Sequence, residues 1–176
     1  VLDARIPGSS INPMIESIRS ARQRPHLKVL NKVDLADPKI TEQWINYFNS
    51  QPNINAISLS AKHTTDVKRV LINSEKSATH SATSVKPLRM LIMGVPNVSK
   101  STIINALKNK KIAKVGNVPA VTKMQQRIEI NSRMILTDTP GMMWPKITNE
   151  LDGIFLAASH SIGINAYDEI ETALIL

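Results

Sequence analysis

Three short motifs constrain what this chain can fold into, and their order is the constraint. Asn31-Lys32-Val33-Asp34 comes first, Gly94-Val95-Pro96-Asn97-Val98-Ser99-Lys100-Ser101 follows, and Asp138-Thr139-Pro140-Gly141 comes last. Each begins where a short apolar run ends, so each reads as a loop leaving a buried strand.

The middle motif resembles G-x-x-x-x-G-K-[ST]. Successive backbone N–H groups in such a loop wrap phosphate oxygens, helped by the N-terminus of the helix that follows. Pro96, Asn97, Val98, Ser99, Lys100, Ser101 and Thr102 are the candidate phosphate-binding set. The Lys100 ammonium would reach the β/γ oxygens, and the Ser101 hydroxyl would ligate Mg²⁺. Ser99 stands where the pattern has its second glycine, the residue that allows close backbone approach and unusual φ. A serine there is expected to carry strain or weaken the grip.

The first motif matches N-K-x-D. The Asp34 carboxylate can accept from both N1–H and the 2-amino group of guanine, donors that adenine does not arrange in this way. A wrong base leaves the acceptors unpaired, so the motif selects GTP over ATP. Asn31 would bond the base and brace the phosphate loop, and the Lys32 stem would lie over the ring. The same tetrapeptide also suits a solvated turn. Ser60-Ala61-Lys62, at the end of a later strand, resembles the supporting loop whose backbone N–H binds O6.

In the last motif Asp138 would hold Mg²⁺ through water, and the Gly141 N–H would face the γ-phosphate. Read alone, D-T-P-G is also a reverse turn. Thr122, in Pro119-Ala120-Val121-Thr122-Lys123, could give its hydroxyl to Mg²⁺ and its N–H to the γ-phosphate. Lys100, Thr122 and Gly141 are therefore the candidate catalytic residues, with Ser101, Thr122 and Asp138 as the Mg²⁺ set. In Ras-like domains the guanine-reading loop comes last. Here it comes first, which makes this a circular permutation.

The rest of the chain reads as alternating strands and helices. Asn12 and Asp37 precede prolines and read as helix caps, the first helix running to about Arg22 and the second carrying Ile40, Trp44, Ile45 and Phe48 on one stripe. Strands are expected at Val1–Leu2, Leu27–Leu30, Ala56–Leu59 and Leu88–Met93. Thr65 or Asp66 is expected to cap a helix through Val67, Val70 and Leu71, and Lys100–Leu107 is a further helix. Gln125–Ile130 and Met134–Thr137 should form an antiparallel pair at one sheet edge, turning at Asn131-Ser132. Helices are expected at Leu151–His160 and Asp168–Leu176. The expected fold is α/β: a circularly permuted Ras-like P-loop GTPase domain, with a mixed, mostly parallel sheet of about six strands flanked by helices. Its parts are a guanine-specificity half over 1–73, a linker over 74–87 rich in Ser, Thr, Ala and Lys, and a phosphate-binding and switch half over 88–176.

The net charge of +8 favours a polyanionic partner, or is simply a soluble basic surface. Aromatics are 3%, which argues against a base-stacking platform. The chain has no cysteine, which excludes disulfides. No apolar run is long enough to cross a membrane.

The motif order, Asp3-Ala4-Arg5-Ile6-Pro7 ahead of the guanine loop, and Trp144-Pro145-Lys146 after the switch resemble the circularly permuted ribosome-assembly GTPases of the RbgA (YlqF) family. The resemblance implies GTP/GDP and Mg²⁺ as ligands, the large ribosomal subunit and rRNA as partners without membrane or DNA, and a bacterial cytoplasmic location. It also implies that an N-terminal segment and a C-terminal RNA-binding domain lie outside these 176 residues. Met142 stands where Ras-like GTPases carry a water-orienting glutamine, so slow intrinsic hydrolysis is expected. Asn97 either ligates a potassium ion near the transferred phosphate or only shapes the loop. Ala120 replaces a glycine beside Thr122.

Two rivals follow from the departures. One is a nucleotide-holding scaffold with impaired hydrolysis, and the other a permuted GTPase acting on the small subunit or another RNA. An ATP-using P-loop kinase is disfavoured by Asn31–Asp34. His26, His63, His80 and His160 lack metal-ligand spacing and read as surface or helix-end residues. Trp44 reads as core, and Trp144 as either packing near the switch or meeting a partner.

Overall fold

A computed structural model describes residues 1–109 and 125–176. The elements are β1 (Leu2–Asp3), α1 (Pro13–Arg22), β2 (His26–Asn31), α2 (Pro38–Asn49), β3 (Ile54–Ser58), α3 (Thr64–Lys76), β4 (Leu88–Ile92), α4 (Lys100–Lys108), β5 (Gln126–Asn131), β6 (Met134–Asp138), α5 (Glu150–Ala158) and α6 (Glu169–Ile175). The expected caps form. The Asn12 side chain accepts from the N–H groups of Met14 and Ile15, and Asp37 accepts from Ile40 N–H at 2.9 Å, each with proline in the first turn.

Helix α3 departs from expectation. It starts at Thr64, ahead of both Thr65 and Asp66, and the capping residue His63 makes no side-chain bond. Asp66 sits inside the first turn, where its charge suits the positive end of the dipole. The helix continues through Ser74-Glu75-Lys76, whose polar composition reads as a linker.

Among the described residues, six strands form two hydrogen-bonded ladders of three rather than one continuous sheet. In the first, β1-β2-β3, every pairing is parallel. In the second, β4-β6-β5, β4 is parallel to β6 and β5 antiparallel at the edge, as the sequence predicts. The Asn131 side chain accepts from Arg133 N–H at 2.9 Å and makes the hairpin turn.

The ladders meet where β1 passes the end of β4. The Val1 amino group donates to the Met93 carbonyl at 2.6 Å. A Cβ on Gly94 would stand 2.4 Å from the Val1 carbonyl oxygen, so glycine is required by this close approach. One apolar core runs across both ladders, with Val29, Ile57, Leu59 and Val67 packed beside Ile92, Ile103, Ile104, Ile128 and Leu136. A second cluster joins Leu30, Phe48 and Ile54 under α2, and Trp44 packs against it as expected. The fold thereby places the ends of β1, β2, β3, β4 and β6 along one rim.

Candidate functional site

The loop after β4 is anchored by its apolar residues. Val95 and Val98 are completely buried against Leu156 of α5, with Trp144 and Ile147 packed alongside. Trp144 thus packs beside the switch. Burying both valines anchors the loop on α5. Asn97 and Ser99 take left-handed φ values of 60° and 70°. For a non-glycine residue that conformation costs about 1–2 kcal/mol. Ser99 therefore holds a glycine-type backbone, the strain its sequence position implies, and its side chain makes no capping bond to α4.

Lys100 is 7% exposed. Its ammonium is folded back to donate to the carbonyls of Gly94 and Val95 at 2.9 and 3.0 Å. Burial lowers its pKa to about 8, against the opposing pull of Asp138. Asp138 ends β6 beside Ile92, and Thr139 locks the turn by donating to the Ile92 carbonyl at 2.8 Å. The Asp138 carboxylate is buried, and neither oxygen has a hydrogen-bond partner among the described residues. Burial raises its pKa, with Lys100 working the other way. An orphaned buried carboxylate beside a buried ammonium is costly unless a ligand completes the set.

Gly141 lies on the phosphate loop. A side chain there would come within 2.8–2.9 Å of Pro96 backbone and ring atoms. Met142 N–H donates to the Gly94 carbonyl at 3.2 Å, and the Met142 carbonyl accepts from Asn12 Nδ2 at 2.9 Å. Asn12 is thus both the α1 cap and a tie to the switch; only the first role has a sequence signal.

At the other end, the Asn31 amide joins three loops. Its Nδ2 donates to the Val98 carbonyl at 3.0 Å, and its Oδ1 accepts from Ala61 N–H at 2.8 Å. Lys32, at a left-handed φ of 66°, reaches Asp3 at 2.8 Å. Asp34 is exposed and paired with Lys62 at 2.7 Å, and the Lys62 ammonium holds its carboxyl below the usual range. Ser60 is buried beside them. Ser101 and Thr102 lie half-buried in the first turn of α4. The structure therefore gathers Asn31, Lys32, Asp34, Ser60, Ala61 and Lys62 with the phosphate loop, Asp138 and Gly141. Thr122 lies outside the described residues.

His26 differs from a surface or helix-end reading, whereas the exposed His160 keeps to it. His26 is a strand residue whose pKa burial lowers to about 4. His160 stands past the end of α5, and its carbonyl accepts from Asn97 Nδ2 at 2.6 Å. Among the described residues no group of three or more His, Cys, Asp or Glu could hold a metal unaided. No described helix is long and apolar enough to cross a membrane.

Comparison with known proteins agrees with this geometry. Residues 89–173 match the family model described as 50S ribosome-binding GTPase. The chain is 43% identical over 170 residues to "Ribosome biogenesis GTPase A" of Priestia megaterium, covering 92% of this chain and 58% of that protein. It is 43% identical over 169 residues to the protein of the same name in Bacillus cereus, covering 92% and 56%. The solved GNP-bound YlqF from T. maritima superposes with a TM-score of 0.68 at 26% identity, covering 99% of this chain and 64% of that one. The chain spans a little over half the length of the two named relatives. Motif order, loop geometry and these likenesses agree: over most of its length the chain is similar to proteins named ribosome biogenesis GTPase A and to YlqF, with a GTPase-family match over residues 89–173.

Proposed function

We propose that this chain is the GTP-binding and GTP-hydrolysing unit of a switch that acts in assembly of the large ribosomal subunit, in the bacterial cytoplasm, with rRNA as part of its target. The observation that carries the reading is the Asn31 amide, which ties the base-reading loop to the phosphate loop 67 residues away in sequence. One ligand with a purine at one end and phosphates at the other fits that span. Guanine donors meet Asp34, and the Ala61 loop supports the base. Phosphates enter along Pro96 to Thr102. Lys100 then exchanges two neutral carbonyl partners for anionic oxygens, a stronger pairing.

The donor set fits Mg²⁺ as well. Asp138 supplies an orphaned buried carboxylate and Ser101 a hydroxyl at the start of α4. The ion, when bound, neutralises charge developing on the transferred phosphoryl group. Gly141 N–H and Thr122 complete the γ-phosphate contacts. Asn97 is the candidate potassium ligand, its amide oriented by the His160 carbonyl. Met142 cannot orient water, so unaided turnover is slow. In this reading residues 1–73 form the guanine half and residues 88–176 the phosphate half, joined by the linker over 74–87.

Titration with GTP and ATP in Mg²⁺ tests the reading, with Ser99→Gly alongside. Selective GTP binding is expected, followed by single-turnover hydrolysis that large-subunit particles and potassium accelerate. Binding that appears only in the glycine variant would overturn the switch in favour of a nucleotide site disabled by strain. That second reading is favoured specifically by the left-handed φ of Ser99.

A further inference from the structure

The Asp3-Ala4-Arg5 segment belongs to none of the three loops, yet it converges on one of them. Asp3 is 0% exposed and pairs in register with Asn31 across β1 and β2. Its carboxylate accepts four bonds. Arg5 contributes its backbone N–H at 3.1 Å, Nε at 2.9 Å and a guanidinium NH₂ at 2.7 Å. The fourth comes from Lys32 Nζ at 2.8 Å. Arg5 alone already neutralises Asp3, so the lysine is not needed to balance the buried charge. What the fourth bond does is fix the far end of the Lys32 side chain. The near end is fixed by the left-handed backbone at Lys32, directly after the buried Asn31. A long stem held at both ends loses the rotamer freedom that would otherwise oppose its use as a surface.

From this geometry we infer that Asp3, supported by Arg5, is a positioning residue for base recognition: it tethers the Lys32 ammonium so that the lysine stem forms a fixed apolar platform against the face of the purine. The inference rests on the nucleotide reading above and adds to it a division of labour. Asp34 reads the guanine edge, so its loss changes which base is chosen. Asp3 acts on the ring face, which all purines share, so its loss weakens them together. The cluster also carries one positive charge in excess, Arg5 and Lys32 against Asp3, which suits an anionic ligand entering beside it.

The test compares GDP and inosine diphosphate, which lacks the 2-amino group, on the chain and on Asp3→Asn, Lys32→Met and the double variant. Asp3→Asn should weaken both nucleotides by about tenfold with their ratio unchanged, the size of one lost charge-assisted contact. Asp34→Asn should change the ratio. Lys32→Met keeps a stem but has no tether, so it should match Asp3→Asn, and the double variant should be no weaker than either. Lys32→Met leaves the Asp3–Arg5 pair in place and serves if Asp3→Asn fails to fold. Additive losses, or unchanged affinity in a folded Asp3→Asn or Lys32→Met chain, overturn the platform and leave the GTP reading standing. Failure of the parent chain to bind GDP overturns both.

Discussion

At the base-reading end, Asn31, Lys32 and Asp34 already have partners: Val98 and Ala61, Asp3, and Lys62. At the phosphate end, Lys100 has only carbonyl oxygens, and Asp138 has no partner among the described residues. The first end is built before any ligand arrives and has to release little. The second holds buried charges in unfavourable surroundings, and a ligand relieves them. Under the proposed function, selectivity would come from a preformed surface and affinity from one whose buried charges lack strong partners.

The largest expected effect breaks the phosphate end. Lys100→Met should reduce nucleotide affinity by roughly a hundredfold or more, since bonds to charged oxygens are worth about 1.5–3 kcal/mol each. The same variant should melt no lower than the parent, because a buried ammonium gives way to an apolar chain of similar size. A large loss of melting temperature would mean that Lys100 is already satisfied without ligand. Asp138→Asn should remove about tenfold of the affinity that Mg²⁺ adds, while metal-free binding stays level or improves as carboxylate–phosphate repulsion disappears. Titrations with and without Mg²⁺ would read this.

Acid–base behaviour sharpens the contrast. Lys100 has a pKa of about 8 in the folded chain against an ordinary 10.5. Between those values the unfolded chain holds a proton that the folded chain has released, so this group's contribution to stability rises with pH. Phosphate binding pulls the proton back. Nucleotide affinity should therefore fall above about pH 8, with proton uptake visible in calorimetry across buffers, and Lys100→Met should flatten the profile. Ser99→Gly removes about 1–2 kcal/mol of left-handed strain and costs about 0.5–1 kcal/mol of chain entropy, so a net gain between about 0 and 1.5 kcal/mol in denaturant stability is expected. The smallest effect belongs to the preformed end. Lys62 is 71% exposed in its pair with Asp34, and Lys62→Met should shift stability by less than about 0.5 kcal/mol.

Much of this was legible in the sequence because it is written in local chemistry. Asn12-Pro13 and Asp37-Pro38 announce their helices through a cap and a fixed φ. The β5–β6 hairpin follows from two apolar runs around an Asn-Ser turn. Helix α3 was less legible, because its start uses no side-chain cap and its last turn is polar, so neither boundary leaves a local trace. The separation into two ladders depends on strand lengths, which motif order does not encode. In the site, residue types reveal the loops and the brace from Asn31 to the phosphate loop, which forms at Val98, but not the other ties. Asn12 to Met142 and Lys32 to Asp3 are contacts between segments distant in sequence, set by packing rather than pattern.

The pairing scheme has one further consequence. Each ladder is drawn from one stretch of chain, β1 to β3 and then β4 to β6, and among the described residues no strand pairing crosses between them. Severing the polypeptide after α3 would cut no ladder. Two peptides made this way should reassociate through the shared apolar core, as split proteins do. A nucleotide gripping Asp34 from one peptide and Lys100 from the other would act as an adhesive. Under the proposed reading, the nucleotide would then act as a clamp between two consecutive stretches of one chain, each holding its own ladder.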